Sequence, residues 1–213
     1  MEAATGTEYH QRLPQAIQDV VDRQVLLGVD IVNDGEFAKA GSYGGYIVDC
    51  VTGYSTVPED PARPPKRAGT SERDRRQFPG FYDSGLWFSG SGGPIRPGFA
   101  TQGGMRSPNQ RAPRVCTSAV TYSGQTAVQA DVDHIKAAIH GRDVEGYIAA
   151  LGPLSLGPGV RNEHYSSEEE YMMAVAEACR EEYKTITDAG LIVQVDEPGV
   201  LHVLDLLSRL ECQ

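Results

Sequence analysis

The sequence predicts an α/β fold of the (β/α)8 TIM-barrel type, only partly represented in a single domain over residues 1–213. Two observations carry this. The segments 28–36 (Gly-Val-Asp-Ile-Val-Asn-Asp-Gly-Glu) and 190–198 (Gly-Leu-Ile-Val-Gln-Val-Asp-Glu-Pro) are short apolar strands that end in carboxylates, and an amphipathic helix precedes each. In parallel α/β folds, side chains just past the carboxyl end of a strand face the ligand site, so acidic residues there are placed for chemistry. Glu36 and Asp196 are the leading candidates.

The elements follow in order. Leu13, Ala16, Ile17, Val20, Val21, Gln24 and Val25 recur at three- and four-residue steps, which predicts a helix from about residue 14 to 27 that Gly28 ends. A strand near residue 29 follows, bounded by Asn33-Asp34-Gly35. Residues 52–114, rich in Pro, Gly, Arg and Ser, read as a long loop insertion over the barrel mouth, with Phe78, Phe81, Tyr82, Trp87 and Phe88 supplying aromatic surface. The β-branched run 115–122 reads as a strand. Asp131 is expected to cap a helix containing Val132, Ile135, Ala138 and Ile139. Residues 147–151 form the next strand, closed by Gly152-Pro153. Ser166 and Ser167 with Glu169 and Glu170 offer overlapping capping boxes for a helix to about residue 189. Its buried side would carry Tyr171, Met172, Val175, Ala178, Cys179 and Ile186. Gly190 stops that helix, the Asp196 strand follows, and residues 200–210 form a last amphipathic segment. Four strands, near 29, 115, 147 and 191, make about half of a barrel, whose open edge invites self-association.

Composition narrows the function classes. At 213 residues the chain falls short of the roughly 250 that a complete barrel takes. The formal net charge of −10 argues against nucleic acid as a partner. The local cluster Arg63, Lys66, Arg67, Arg73, Arg75 and Arg76, interleaved with Pro and Gly, reads as a solvated loop. No apolar run approaches the roughly 20 residues that span a bilayer, so no membrane role is expected. Cys50, Cys116, Cys179 and Cys212 stand far apart without a Cys-x-x-Cys pair, and Met1-Glu2-Ala3-Ala4 opens no secretory segment; the expectation is a reduced, cytoplasmic chain.

The residues alone leave the site open between two readings. Gly35 allows a sharp turn beside Glu36, and two carboxylates around one ammonium would favour the charged amine while it relieves their repulsion. Equally, Glu36 could cap a following helix and Asp196 could be a solvated strand end. Glu197 is placed to orient its neighbour, and Pro198 to start the next helix. Tyr43, Tyr46 and the pair His164-Tyr165 could stack on a flat ring from rim loops. Neither His164 nor His202 has a Cys or His at ligand spacing, so neither is assigned to a metal. Residues 90–93, Gly-Ser-Gly-Gly, open no helix and fail as a phosphate cradle.

The run 24–36 (Gln-Val-Leu-Leu-Gly-Val-Asp-Ile-Val-Asn-Asp-Gly-Glu), with Lys39 and Ser42-Tyr43, resembles the catalytic domain of cobalamin-independent methionine synthases and their shorter relatives. Gln194-Val195-Asp196-Glu197-Pro198 resembles the Asp-Glu-Pro end of a later strand in that domain, and Asn162-Glu163-His164-Tyr165 through Glu170-Tyr171 fits the shorter relatives. The order of these motifs covers most of residues 10–200.

The resemblance implies an S-methyltransferase acting on a zinc-activated thiol, of the 5-methyltetrahydropteroyltriglutamate–homocysteine type, without cobalamin. The residues matching Glu36 and Asp196 hold the substrate amino group; Tyr43, Gly152 and Glu197 would be further rim contacts. Gly152-Pro153 matches a turn at the folate-binding rim. The implied partners are a small-molecule thiol and a methyl-folate. The family's zinc ligands, a His-x-Cys pair, a Glu and a further Cys, have no counterpart here, and Cys212 has Leu210 two positions before it rather than histidine. The chain therefore reads as a fragment of such an enzyme. Two alternatives remain: an alkyl-thiol transferase of the same superfamily, and a catalytically inactive half-barrel that persists by pairing with another chain.

Overall fold

The computed structural model of the chain describes residues 6–39, 43–57, 76–80, 114–157, 160–198 and 200. These form a mixed α/β architecture built on two three-stranded sheets. The first sheet contains β1 (Ile31–Asn33), β4 (Glu145–Leu151) and β6 (Ile192–Asp196) in the order β1-β4-β6, all parallel. The second contains β2 (Val51–Thr56), β3 (Arg114–Tyr122) and β5 (Arg161–Asn162), with β2 antiparallel and β5 parallel to β3.

Helix α1 (Gly6–Leu26) buries Leu13, Ile17 and Val21 at four-residue steps, as its periodicity predicts. It begins earlier than the sequence suggests and carries Pro14 in its interior. Gly28, at φ 80°, ends the helical run. Gln24 in the last turn then locks the helix to β1: its Nε2 donates to Asn33 O at 2.9 Å and its Oε1 accepts from Asn33 N at 3.0 Å. Among the described residues β1 has no strand neighbour other than β4, and this two-way bond satisfies its Asn33 amide and carbonyl.

Three expectations are corrected. The run 115–122 is a strand, but it does not join the parallel sheet; β4 pairs directly with β1, Ile31 opposite Glu145 and Asn33 opposite Tyr147. It pairs instead with β2, a strand inside the segment read as loop, where Val51 lies opposite Tyr122 and Thr56 opposite Arg114. Alternation of Val51, Gly53 and Ser55 with threonines and a tyrosine is weak, which hid it. Asp131 caps nothing: helix α3 (Gln125–Ile139) starts six residues before it, after N-cap Gly124, and Asp131 is buried mid-helix. A short helix α2 (Tyr43–Asp49) and a single turn α4 (Pro153–Leu156) complete the connections.

Helix α5 (Glu168–Asp188) matches its predicted capping box. Ser167 Oγ accepts from Glu170 N at 3.1 Å, and the Glu170 carboxylate takes the Ser166 N–H in return. Its buried side holds Tyr171, Val175, Ala178, Cys179 and Ile186, with Met172 half-buried. The core lies where α1, α3 and α5 meet the sheets, through Val32, Val128, Val132, Ile135, Ile148, Val175 and Ile186.

Asn162 organises the approach to α5. Its Oδ1 accepts from the amides of His164 and Tyr165, and the Tyr165 hydroxyl accepts from Val120 N at 2.8 Å. The amphipathic segment 200–210, the aromatics from Phe81 to Phe88, the basic residues from Arg63 to Arg75, residues 90–93, His202 and Cys212 lie outside the described residues, save Val200 at the start of that segment. No described helix is long and apolar enough to cross a membrane.

Candidate functional site

The carboxyl ends of β1, β4 and β6 share one edge of the parallel sheet. From β1 the chain enters a tight turn that carries Glu36. Asn33 Oδ1 accepts from Gly35 N at 3.1 Å, and Asp34 Oδ1 accepts from Glu36 N at 2.9 Å. Gly35 and Glu36 both lie in the left-handed region, at φ 69° and 59°, and Glu36 is the described non-glycine residue with positive φ. Left-handed backbone in a residue with a Cβ costs energy and persists where surrounding bonds over-determine it. Those bonds are present: Lys39 N donates to Glu36 O at 3.0 Å, and the Tyr9 hydroxyl donates to Phe37 O. The result presents the Glu36 carboxylate to solvent, without a side-chain partner among the described residues.

Asp196 ends β6, half-buried, opposite Leu151. Its Oδ1 accepts from Gln194 Nε2 at 3.0 Å, and its carbonyl accepts from Gly152 N at 2.8 Å, which ties the ends of β4 and β6 together. The β1 and β6 axes stand two strand spacings apart, about 10 Å. Glu36 and Asp196 thus lie past the ends of the two outer strands of this sheet, with β4 between those strands. Glu197 turns inward. Its carboxylate accepts from Leu154 N at 2.8 Å and from the Ser155 hydroxyl, and it fills the space where a Cβ on residue 152 would stand. Gly152 therefore makes room for Glu197, and Glu197 serves the turn α4. Tyr43 opens α2, but its side chain is outside the described set.

Behind the rim lies a group the sequence reading did not assemble. Among the described residues, the buried charged side chains are Asp34, Lys39, Asp131 and Glu182, all below a tenth exposed. Lys39 Nζ donates to Ala149 O on β4 and sits 5.1 Å from the Tyr46 ring centroid. Burial pushes the Asp131 carboxyl up to about 6, with repulsion from Asp34 adding and attraction to Lys39 opposing. Burial likewise pushes Glu182 up to about 7, with Asp131 adding and Lys39 opposing. One oxygen each of Asp34, Asp131 and Glu182, and the Tyr46 and Tyr122 hydroxyls, are buried without a hydrogen-bond partner. A signal was present in the sequence: Asp131 and Glu182 interrupt apolar stripes, at positions in phase with Val128 and Ile135 and with Cys179 and Ile186.

None of this fits zinc. Among the described residues no group of three or more His, Cys, Asp or Glu could hold a metal ion. Cys50, Cys116 and Cys179 are buried free thiols, and desolvation pushes Cys50 up to about 12 and Cys179 up to about 11, the opposite of a thiolate ligand. His164 is exposed and packs edge-on to Tyr165, 4.8 Å between centroids.

No family model matches the chain, and no curated protein is significantly similar to it. Solved structures do match. One is a B12-independent methionine synthase from Shewanella sp. in complex with selenomethionine, at 20% identity and a TM-score of 0.53, covering 92% of this chain and 44% of that one. The chain thus spans less than half the length of that enzyme. At this identity the likeness concerns the fold: the described architecture is similar to part of a B12-independent methionine synthase.

Proposed function

We propose that this chain is a methionine synthase-like partial barrel that binds an amino-acid thiol or thioether at the carboxyl edge of its parallel sheet. Glu36 and Asp196 would hold the substrate ammonium, one from each side of the β4 end. The observation that carries the reading is Glu36 itself: a glutamate kept in left-handed backbone and turned to solvent by four separate hydrogen bonds in its turn. A helix cap needs no such arrangement. Likeness to an enzyme crystallised with selenomethionine supports the same reading.

Within a complete transferase of this type, the bound thiol would accept a methyl group from a methyl-folate at a zinc centre. The described residues supply no such centre, so the role assigned here is binding and orientation of the substrate. Titration calorimetry with L-methionine tests it: Glu36→Gln and Asp196→Asn should each weaken binding about tenfold, the scale of one charge-assisted contact. Unchanged affinity in both variants would refute the assignment.

A second reading is an inactive half-barrel that associates through its open sheet edges. Exposed apolar residues on the two outer strands favour it, namely Ile31 on β1 and Ile192 and Val195 on β6. Sedimentation separates the two: a concentration-dependent dimer that ignores L-methionine would support association without substrate binding.

A further inference from the structure

We propose that Lys39 is a positioning residue for Glu36: its buried ammonium anchors the far end of the turn that presents the Glu36 carboxylate. The inference rests on the amine-binding reading above and deepens it. Lysine is almost never fully buried unless its charge is compensated, because leaving water costs an ammonium heavily. Lys39 is nevertheless only 6% exposed. Its Nζ donates to Ala149 O in the centre of the parallel sheet, and the carboxylates of Asp131 on α3 and Glu182 on α5 attract it.

Two anchors therefore bracket Glu36. On the strand side, Asn33 is fixed by Gln24 and by the Tyr147 hydroxyl, 3.0 Å from its Nδ2, and Asp34 holds the Glu36 amide. On the other side the Lys39 amide holds the Glu36 carbonyl while the Lys39 side chain is sunk into the core. Backbone strain at residue 36 is maintained only while both ends are held. With the ammonium gone, the second anchor loses both its hydrogen bond to β4 and its attraction to two carboxylates, and the turn is free to leave the left-handed conformation. Lys39 itself need not touch the ligand.

A double-mutant cycle tests this with L-methionine and with its des-amino analogue, 4-(methylthio)butanoate. Lys39→Met should raise the Kd for L-methionine about tenfold, change that of the analogue less than about twofold, and add nothing in a Glu36→Gln background. Lys39→Met/Glu182→Gln, which also removes one buried acid, supplies the same comparison if the single variant fails to fold. In the same proteins, amide exchange at Gly35 and Glu36 should accelerate about tenfold with the α5 amides unchanged. If Glu36→Gln leaves L-methionine binding intact, the part of the amine-binding reading that Glu36 carries fails, and with it this inference. If Glu36→Gln weakens binding but Lys39→Met does not, or weakens it equally for both ligands and in the Glu36→Gln background, only the role of Lys39 is overturned.

Discussion

A left-handed glutamate is a local energetic loss, and its retention beside a strand end is the sharpest residue-scale statement in this molecule. Replacing it with glycine removes about 1–2 kcal/mol of left-handed cost and returns roughly 0.5–1 kcal/mol through a freer unfolded chain. Glu36→Gly should therefore raise the unfolding free energy slightly, by about 0.5–1 kcal/mol as read from denaturant unfolding, while weakening amine binding about tenfold; a destabilised variant would show that the turn is not strained. The buried acids make a second residue-scale prediction. Facing them are Lys39 and Asp34 from the turn, Tyr46 from α2, Cys50 just past its end, and Tyr122 from β3. Glu182 has a folded-state value of about 7 against 4.5, so the folded state holds its proton more tightly. Its contribution is fully present below about pH 4.5 and is lost as the pH rises through 7. Asp131 behaves alike between 3.8 and about 6. Glu182→Gln should consequently stabilise the protein by about 1–3 kcal/mol at pH 8 and far less at pH 5, as read from thermal unfolding at the two pH values. A gain independent of pH would contradict the shift. The positions of Glu36 and Asp196 at the carboxyl ends of β1 and β6 were legible because apolar strands lead into them. The buried charges were not assembled, since their meeting depends on α2, α3, α5 and the β1 turn converging, and no spacing along the chain encodes that.

At the level of elements, legibility followed periodicity. Helices α1 and α5 carry long stripes with chemical stop signals at Gly28 and Gly190, and both were placed. Strand β2 alternates too weakly to announce itself and is identified only by its pairing with β3. The start of α3 was misread because Asp131 has the residue type of a cap, while Gly124, which actually precedes the helix, makes no side-chain bond there. The β4 and β6 ends are joined by an interlock that the sequence only hints at through Gly-Pro and Asp-Glu-Pro. Gly152→Ala tests it: the added Cβ would collide with the Glu197 carboxylate, breaking its bonds to Leu154 N and the Ser155 hydroxyl. A loss of about 1–3 kcal/mol is expected, and Glu197→Ala in the same background should recover part of it by vacating the space. Full additivity of the two substitutions would contradict the interlock.

For the whole molecule, strand order is the main lesson. Reading four successive strands of one sheet from the sequence assumed that neighbours in the chain are neighbours in space. Instead the antiparallel pair β2–β3 stands in a second sheet, and β1 pairs directly with β4. This brings the Glu36 turn beside the β4 end, with Asp196 on the far side of the same strand, so the candidate site is more compact than the sequence order implies. A competing surface is the shallow groove between α3 and α5 lined by Gln129, Asp133, Lys136 and Thr185. The most direct test of the central claim is therefore a titration of isotope-labelled protein with L-methionine, followed by amide chemical shifts. Saturable shifts at Gly35, Glu36, Gly152 and Asp196 are the predicted result; shifts confined to Gln129, Asp133 and Lys136 with the rim unmoved would contradict it.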